Sequence, residues 1–343
     1  MSHASVLAAT ARALVAPGKG ILAADESIPT IGKRFTALGI PATEDNRRAY
    51  RELLFSTPAL GEHISGAILF DETLGQRTAA GELVLPELLV RQDIIPGIKV
   101  DTGTGPLPSS PSEKITSGLE GLPDRLAAYA TLGVRFTKWR AVLGITSDGK
   151  PSQECLIANA RALASFAAFS QAAGLVPIVE PEVLLSGNHP LARCEEVTVA
   201  TLTAVFMALA EKHVSLEGML LKTGMVLPGA ASSEHVTRPA IAEATLRALR
   251  QSVPASVPGV VFLSGGQPEV VATERLNAIC QTRDLPWTPS FSFGRALQDS
   301  AMKTWRGVAA NSVAAQAALH HRARCNGLAV LGKYSAEAER TPA

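Results

Sequence analysis

Two hydrophobic periods alternate along this chain. Amphipathic stretches with a helical spacing of apolar residues end near a glycine, and each leads into a short apolar run that closes in something polar. The unit recurs about every thirty to forty-five residues. The short runs, read as buried strands, are Gly20–Asp25, Gly66–Phe70, Gly97–Asp101, Val134–Arg140, Val176–Glu182, Met219–Met225, Val260–Gly265 and Trp287–Phe293. Helices are predicted over Pro123 to Leu132 with Gly133 as the stop, Ser152 to Ala173 with Gly174, and Thr198 to Lys212. Thr237 is the expected N-cap of a further helix that begins near Pro239 and runs to Gln251. Eight strand–helix alternations imply parallel strands, and that number suggests closure into a (β/α)8 TIM barrel of the α/β class rather than an open sheet. No linker or low-complexity run interrupts the pattern, so residues 1–343 read as one domain with a short tail from about residue 330; the stretch beyond 322 has no assignment.

Side chains two apart share a face of a strand. Ala23 with Asp25, Lys99 with Asp101, Lys138 with Arg140, Glu180 with Glu182, and Leu220 with Lys222 are such pairs. Each charged member lies near the C-terminal end of its run. In a barrel those ends converge on one rim, where catalytic residues of this fold lie.

Composition narrows the setting. The 343 residues suit one barrel, a fold of about 200 to more than 400 residues, and 46% hydrophobic residues can fill a large core. A net charge of +1 offers no basic field for nucleic acid, and no apolar run approaches the roughly 20 residues of a membrane span. Ser5 to Val15 lacks a basic leader and is broken by Arg12, so it reads as a helix rather than a signal peptide. Cys155, Cys194, Cys280 and Cys325 stand far apart, as expected of reduced thiols in a cytoplasmic protein.

The chemistry centres on Lys222, alone among the leucines of Gly218–Met225. Burial and a second cation, Lys138, both disfavour a lysine's ammonium form and leave some neutral amine, which can attack a ketone to form a Schiff base. The carboxylates Asp25, Glu180 and Glu182 could then move protons, since carbinolamine dehydration needs an acid and C–C cleavage needs a base. An internal ion-pair network at the rim is the competing account. Two stretches suit anions. Ser264-Gly265-Gly266 closes the seventh run and Gly294-Arg295 the eighth, the positions where many barrels bind phosphate, although either glycine cluster taken alone reads equally as a plain tight turn. Ser27, Thr30, Lys33 and Arg34 could form a second anion site, or simply a solvated helix start. Gly103-Thr104-Gly105 is followed by proline rather than a third glycine, so a dinucleotide loop is not expected, and the histidines lack the spacing of a catalytic metal site.

The strings "ALVAPGKGILAADES" (Ala13–Ser27), "EDNRRAYRELL", "GAILFDETL", "GIKVD", "FTKWRAVL", "VPIVEPE", "LEGMLLK", "FLSGGQ" and "FSFGRALQ" resemble class I fructose-bisphosphate aldolase, in order and over nearly the whole chain. The resemblance implies a barrel, usually a homotetramer, that needs neither metal nor cofactor and acts on sugar phosphates. It implies Lys222 as the Schiff-base residue, Glu180 as main acid/base with Glu182 assisting, and Lys138 supporting Schiff-base formation. Arg140 would lie near the substrate phosphate, and Asp25 would orient the hydroxyl that loses its proton. Lys99 and Ser27 would hold one phosphate; Ser264, Gly265, Gly294 and Arg295 would hold the other. Three departures stand out. Lys222-Thr223-Gly224 replaces the common "LLKPNM", and Glu26-Ser27-Ile28-Pro29-Thr30 replaces "ESTGS", where Pro29 removes an N–H donor. The last residues, Thr341-Pro342-Ala343, lack the terminal tyrosine that many relatives use at the enamine carbon, so that proton step is expected to be slower or to use another group or water. Alternatives are a Schiff-base lyase for another phosphorylated ketose, and a binding protein on the same barrel.

Overall fold

Eight parallel strands pair into a closed ring in the computed structural model of the chain, which describes residues 3–340. In chain order the strands are β1 (Gly20–Ala24), β2 (Ile64–Leu69), β3 (Ile95–Lys99), β4 (Gly103–Leu107), β5 (Ser110–Ser117), β6 (Phe136–Leu143), β7 (Val176–Val183), β8 (Leu220–Thr223), β9 (Gly259–Phe262) and β10 (Thr288–Phe293). The ring runs β1-β10-β9-β8-β7-β6-β3-β2, so each barrel strand lies beside its neighbours in the chain and β10 closes onto β1. All eight predicted runs are barrel strands. β4 and β5 stand apart as an antiparallel hairpin between β3 and β6. Its glycines, prolines and polar residues carry no period-2 apolar signal, which is why the pattern missed it. The Glu113 carboxylate fastens it by accepting from the Ser152 backbone N–H at 2.7 Å and the Ser152 hydroxyl at 2.6 Å.

The two faces of the strands fill different cores. Ile21, Ala23, Ile68, Phe136, Ile178, Leu220 and Val261 pack inside the barrel, and Leu7, Ala11 and Leu14 of the helix His3–Leu14 pack against them. Leu22, Ala24, Leu69, Trp139, Val179, Leu221 and Phe262 point outward into the larger layer under the helices. Phe136 fits because β3 carries Gly97 opposite it: a Cβ there would come within 2.3 Å of the ring.

The helices follow their caps. Ser152 and Thr237 accept from the backbone N–H groups of Cys155 and Ala240, starting helices Gln153–Ala172 and Arg238–Ser252. The helix expected from Thr198 starts earlier, at Leu191 directly after Pro190. Beyond 322 the helix Ser312–Val330 continues, and residues 331–340 fold back with Tyr334 and Ala338 buried. The last three residues, on which the terminal-tyrosine expectation falls, lie outside the described residues. Among the described helices none is long and apolar enough to cross a membrane.

Candidate active site

Strand alternation brings the charges to one place. Phe136, Ile178 and Leu220 face the barrel interior, so Lys138, Glu180 and Lys222, two residues further on, face it as well. The three are nearly inaccessible, at 3%, 3% and 4% exposure. Glu180 sits between the lysines: one carboxylate oxygen is 3.2 Å from Lys222 Nζ and the other 3.2 Å from Lys138 Nζ. Asp25, just past the end of β1, lies 2.6 Å from Lys138 Nζ.

Such burial would expel charge if the groups stood alone. Burial pushes Asp25 up, but Lys138 and Lys222 outweigh it and hold its pKa at about 2. Glu180 behaves likewise: burial raises its pKa, Lys138, Lys222 and Arg140 lower it, and the cations win. Lys138, too, keeps its charge. Burial lowers its pKa, yet Asp25 and Glu180 raise it well above the ordinary lysine range, so it is a fixed ammonium.

Further out, Arg140 Nε donates to Glu182 at 2.5 Å, and Lys99 Nζ lies 2.7 Å from Asp101 Oδ1. Asp101 also accepts from the backbone N–H of Arg140 at 3.3 Å, which links β3 to β6. These groups line a cavity of about 1060 Å³ at the C-terminal rim. The same cavity collects Ser27, Thr30, Lys33, Arg34, Ser264, Gly265, Gly294 and Arg295, so of the catalytic and anion-binding candidates read from the sequence only Gly266 is not on its border.

Two parts of that rim present donors. Gly265 and Gly266 adopt positive φ of 58° and 86°, and a Cβ on Gly266 would lie 3.2 Å from the Arg295 guanidinium. The loop after β9 and the helix start after β10 therefore meet, with Arg295 exposed at the first turn of helix Arg295–Trp305. At the other part, Ser27 precedes helix Ile28–Thr36 with its hydroxyl 3.0 Å from that of Thr30. Lys33 is exposed there, but Arg34 is committed: it pairs with Glu26 and, at 2.9 Å, with Asp299.

Glu26 is the residue that sequence reasoning passed over. Its carboxylate also accepts from Arg51 Nη2 at 2.7 Å and from Gln298 Nε2 at 3.1 Å, while Gln298 donates to the Ala23 carbonyl at 2.6 Å. This buried network ties the end of β1 to the helix after β10. The only signal was an arginine, Arg51, amid the apolar positions of helix Glu44–Phe55, where it is 3% exposed. Tyr129, which donates to Asp71 at 2.6 Å on the cavity wall, and the buried Ser292 hydroxyl were missed as well.

A buried amine beside a shared carboxylate, a fixed ammonium and a second carboxylate can add to a carbonyl and move protons around it. Comparison with known proteins agrees with that chemistry. The family model for fructose-bisphosphate aldolase class-I matches residues 6–343. A probable fructose-bisphosphate aldolase class 1 of Xanthomonas campestris is 52% identical over 329 residues, covering 96% of this chain and 98% of its own. Fructose-bisphosphate aldolase 2 of Caenorhabditis elegans is 51% identical over 94% of this chain and 88% of its own. The solved structure of Plasmodium falciparum fructose-bisphosphate aldolase superimposes with a TM-score of 0.96 at 48% identity, covering 97% of this chain and 96% of that one. With a family model spanning nearly its whole length and relatives at half identity, the chain belongs to the class-I fructose-bisphosphate aldolase family.

Proposed function

We propose that the chain cleaves fructose 1,6-bisphosphate reversibly to dihydroxyacetone phosphate and glyceraldehyde 3-phosphate, with Lys222 as the nucleophile. Lys222 passes a proton to Glu180, 3.2 Å away, and its amine adds to the C2 ketone. Glu180, now an acid, protonates the carbinolamine hydroxyl, which leaves as water and forms the iminium. Asp25 takes the proton of the C4 hydroxyl; the C3–C4 bond breaks, its electron pair moves into the iminium as an enamine, and glyceraldehyde 3-phosphate departs. Protonation at C3 and hydrolysis release dihydroxyacetone phosphate and restore the amine. Lys138 keeps Asp25 and Glu180 ionised between these steps. Glu182 assists and holds Arg140 toward one phosphate. Lys99, Ser27, Thr30 and Lys33 serve one phosphate end, which Arg34 borders while paired with Glu26 and Asp299, and Ser264, Gly265, Gly294 and Arg295 serve the other.

The observation that carries this reading is Glu180 shared between two lysines at 3.2 Å each, beneath a cavity bordered by two donor-rich loops. Borohydride reduction with dihydroxyacetone phosphate, followed by peptide mass mapping, tests it. A reduced adduct on Lys222 supports the enzyme; bisphosphate binding without any adduct overturns the mechanism. The family resemblance further supports a homotetramer, which light scattering of the purified chain tests. Four free cysteines agree with a reducing compartment such as the cytoplasm.

A further inference from the structure

The helix Ser312–Val330 carries His321 and Cys325 four positions apart, so both project from one face. After Gly332 the chain returns over that face, where the Cys325 thiol donates to the Ala338 carbonyl and Arg324 donates to the same oxygen. Glu339 then arrives above the pair. His321 Nε2 lies 3.7 Å from Cys325 Sγ and 3.5 Å from Glu339 Oε2, and one ligand atom from each residue falls within 4.8 Å of the other two. Zinc bonds of about 2.0–2.1 Å to nitrogen, 2.3 Å to sulfur and 2.0–2.2 Å to oxygen, set at tetrahedral angles, separate nitrogen from sulfur by roughly 3.6 Å and nitrogen from oxygen by roughly 3.4 Å. The nitrogen–sulfur and nitrogen–oxygen spacings here are already those of two edges of such a tetrahedron, and the sulfur–oxygen edge lies within 4.8 Å.

We propose that His321, Cys325 and Glu339 form a site for a thiophilic divalent ion of the zinc class, which clasps the returning C-terminal segment onto its helix. The surroundings suit this role. Tyr334 and Arg322 each donate to Glu339 Oε1 at 2.6 Å, the kind of outer hydrogen bonding that orients a ligating carboxylate, and Arg322 Nη1 lies 2.6 Å from Oε2 as well, a contact the ion would have to share. Arg322 is itself held by Thr273 at 2.6 Å. Its guanidinium opposes a second cation, and two anionic ligands offset that repulsion once the ion displaces the Cys325 proton. The side chains of His321 and Glu339 remain 21% and 23% exposed, which leaves the fourth corner to water. None of these residues borders the cavity at the rim, so the ion acts on the tail rather than on sugar-phosphate chemistry.

Co²⁺ titration of the chelator-stripped full-length chain is the test, with far-ultraviolet dichroism to establish that each variant is folded. The expected result is one equivalent bound with a thiolate-to-cobalt charge-transfer band in the near ultraviolet. Cys325→Ser should abolish the band, and His321→Gln or the partly exposed Glu339→Gln should weaken binding by about tenfold or more. Cys280→Ser and His63→Gln should leave it unchanged. Absence of the band, its survival in Cys325→Ser, or undiminished affinity in Glu339→Gln overturns the proposal. So does binding without sulfur character that is lost in His63→Gln, which would assign the ion to the other cluster of possible ligands, Glu62, His63 and His320.

Discussion

Replacing Lys138 with methionine removes the ammonium between Asp25 and Glu180 while keeping an unbranched side chain of similar size. A carboxylate held at about 2 instead of 3.8 has its ionised form favoured by roughly 2 kcal/mol. Because the folded-state value is the lower one, this stabilisation is present above 3.8 and drains away as pH falls through about 2. Without Lys138, burial becomes the dominant influence on Asp25, with Lys222 and Lys99 left to oppose it, and its pKa climbs. Glu180 keeps Lys222 and climbs less. The variant should therefore lose kcat by about 10²–10⁴-fold, the usual worth of a positioned acid or base. The acid limb of its kcat/KM profile should move up by about one pH unit or more. Loss of the cation from a buried cluster should also cost up to about 3–5 kcal/mol in urea, less whatever the carboxylates recover by taking up protons. A coupled cleavage assay across pH, alongside urea melts, measures all three. Activity within about threefold of the parent and an unmoved acid limb would refute the assignment of Lys138 as the group that keeps both carboxylates charged.

Lys222→Met should abolish both cleavage and the borohydride adduct, with a melting profile that shows a folded barrel; an adduct at another lysine would contradict its role. Arg295→Ala should raise KM for the bisphosphate with little change in kcat, by about ten- to hundredfold if its guanidinium makes one charge-assisted contact worth about 1.5–3 kcal/mol. An unchanged KM would remove it from the phosphate site. Phe136→Ala should cost about 3–5 kcal/mol in urea unfolding, because the ring fills the barrel between Gly97 and Leu14 and nothing else can collapse into its space. A loss below about 1 kcal/mol would mean that the floor repacks.

What could be read in advance, and what could not, divides along physical lines. The barrel strands announce themselves because strand alternation is local: an inward Ile178 or Leu220 commits Glu180 or Lys222 to the interior whatever the rest of the chain does. Thr237 was legible as a cap for the same reason, since a cap acts within three residues. The hairpin Gly103–Ser117 was hidden because its stability comes from contacts with helix Gln153–Ala172, not from its own pattern. Ion pairing is harder still. Arg34 looks like a free cation beside a helix start, yet its partner Asp299 lies 265 positions away, and Glu26 collects donors from three separate segments. Charge state follows the same division. Burial of Lys138 was foreseeable from its strand, but burial predicts a neutral amine, and only the approach of Asp25 and Glu180 from β1 and β7 reverses that sign. The direction of a side chain is thus set by its neighbours in sequence, whereas its ionisation is set by neighbours in space. A catalytic cluster assembled from several strand ends is therefore legible in position before it is legible in protonation.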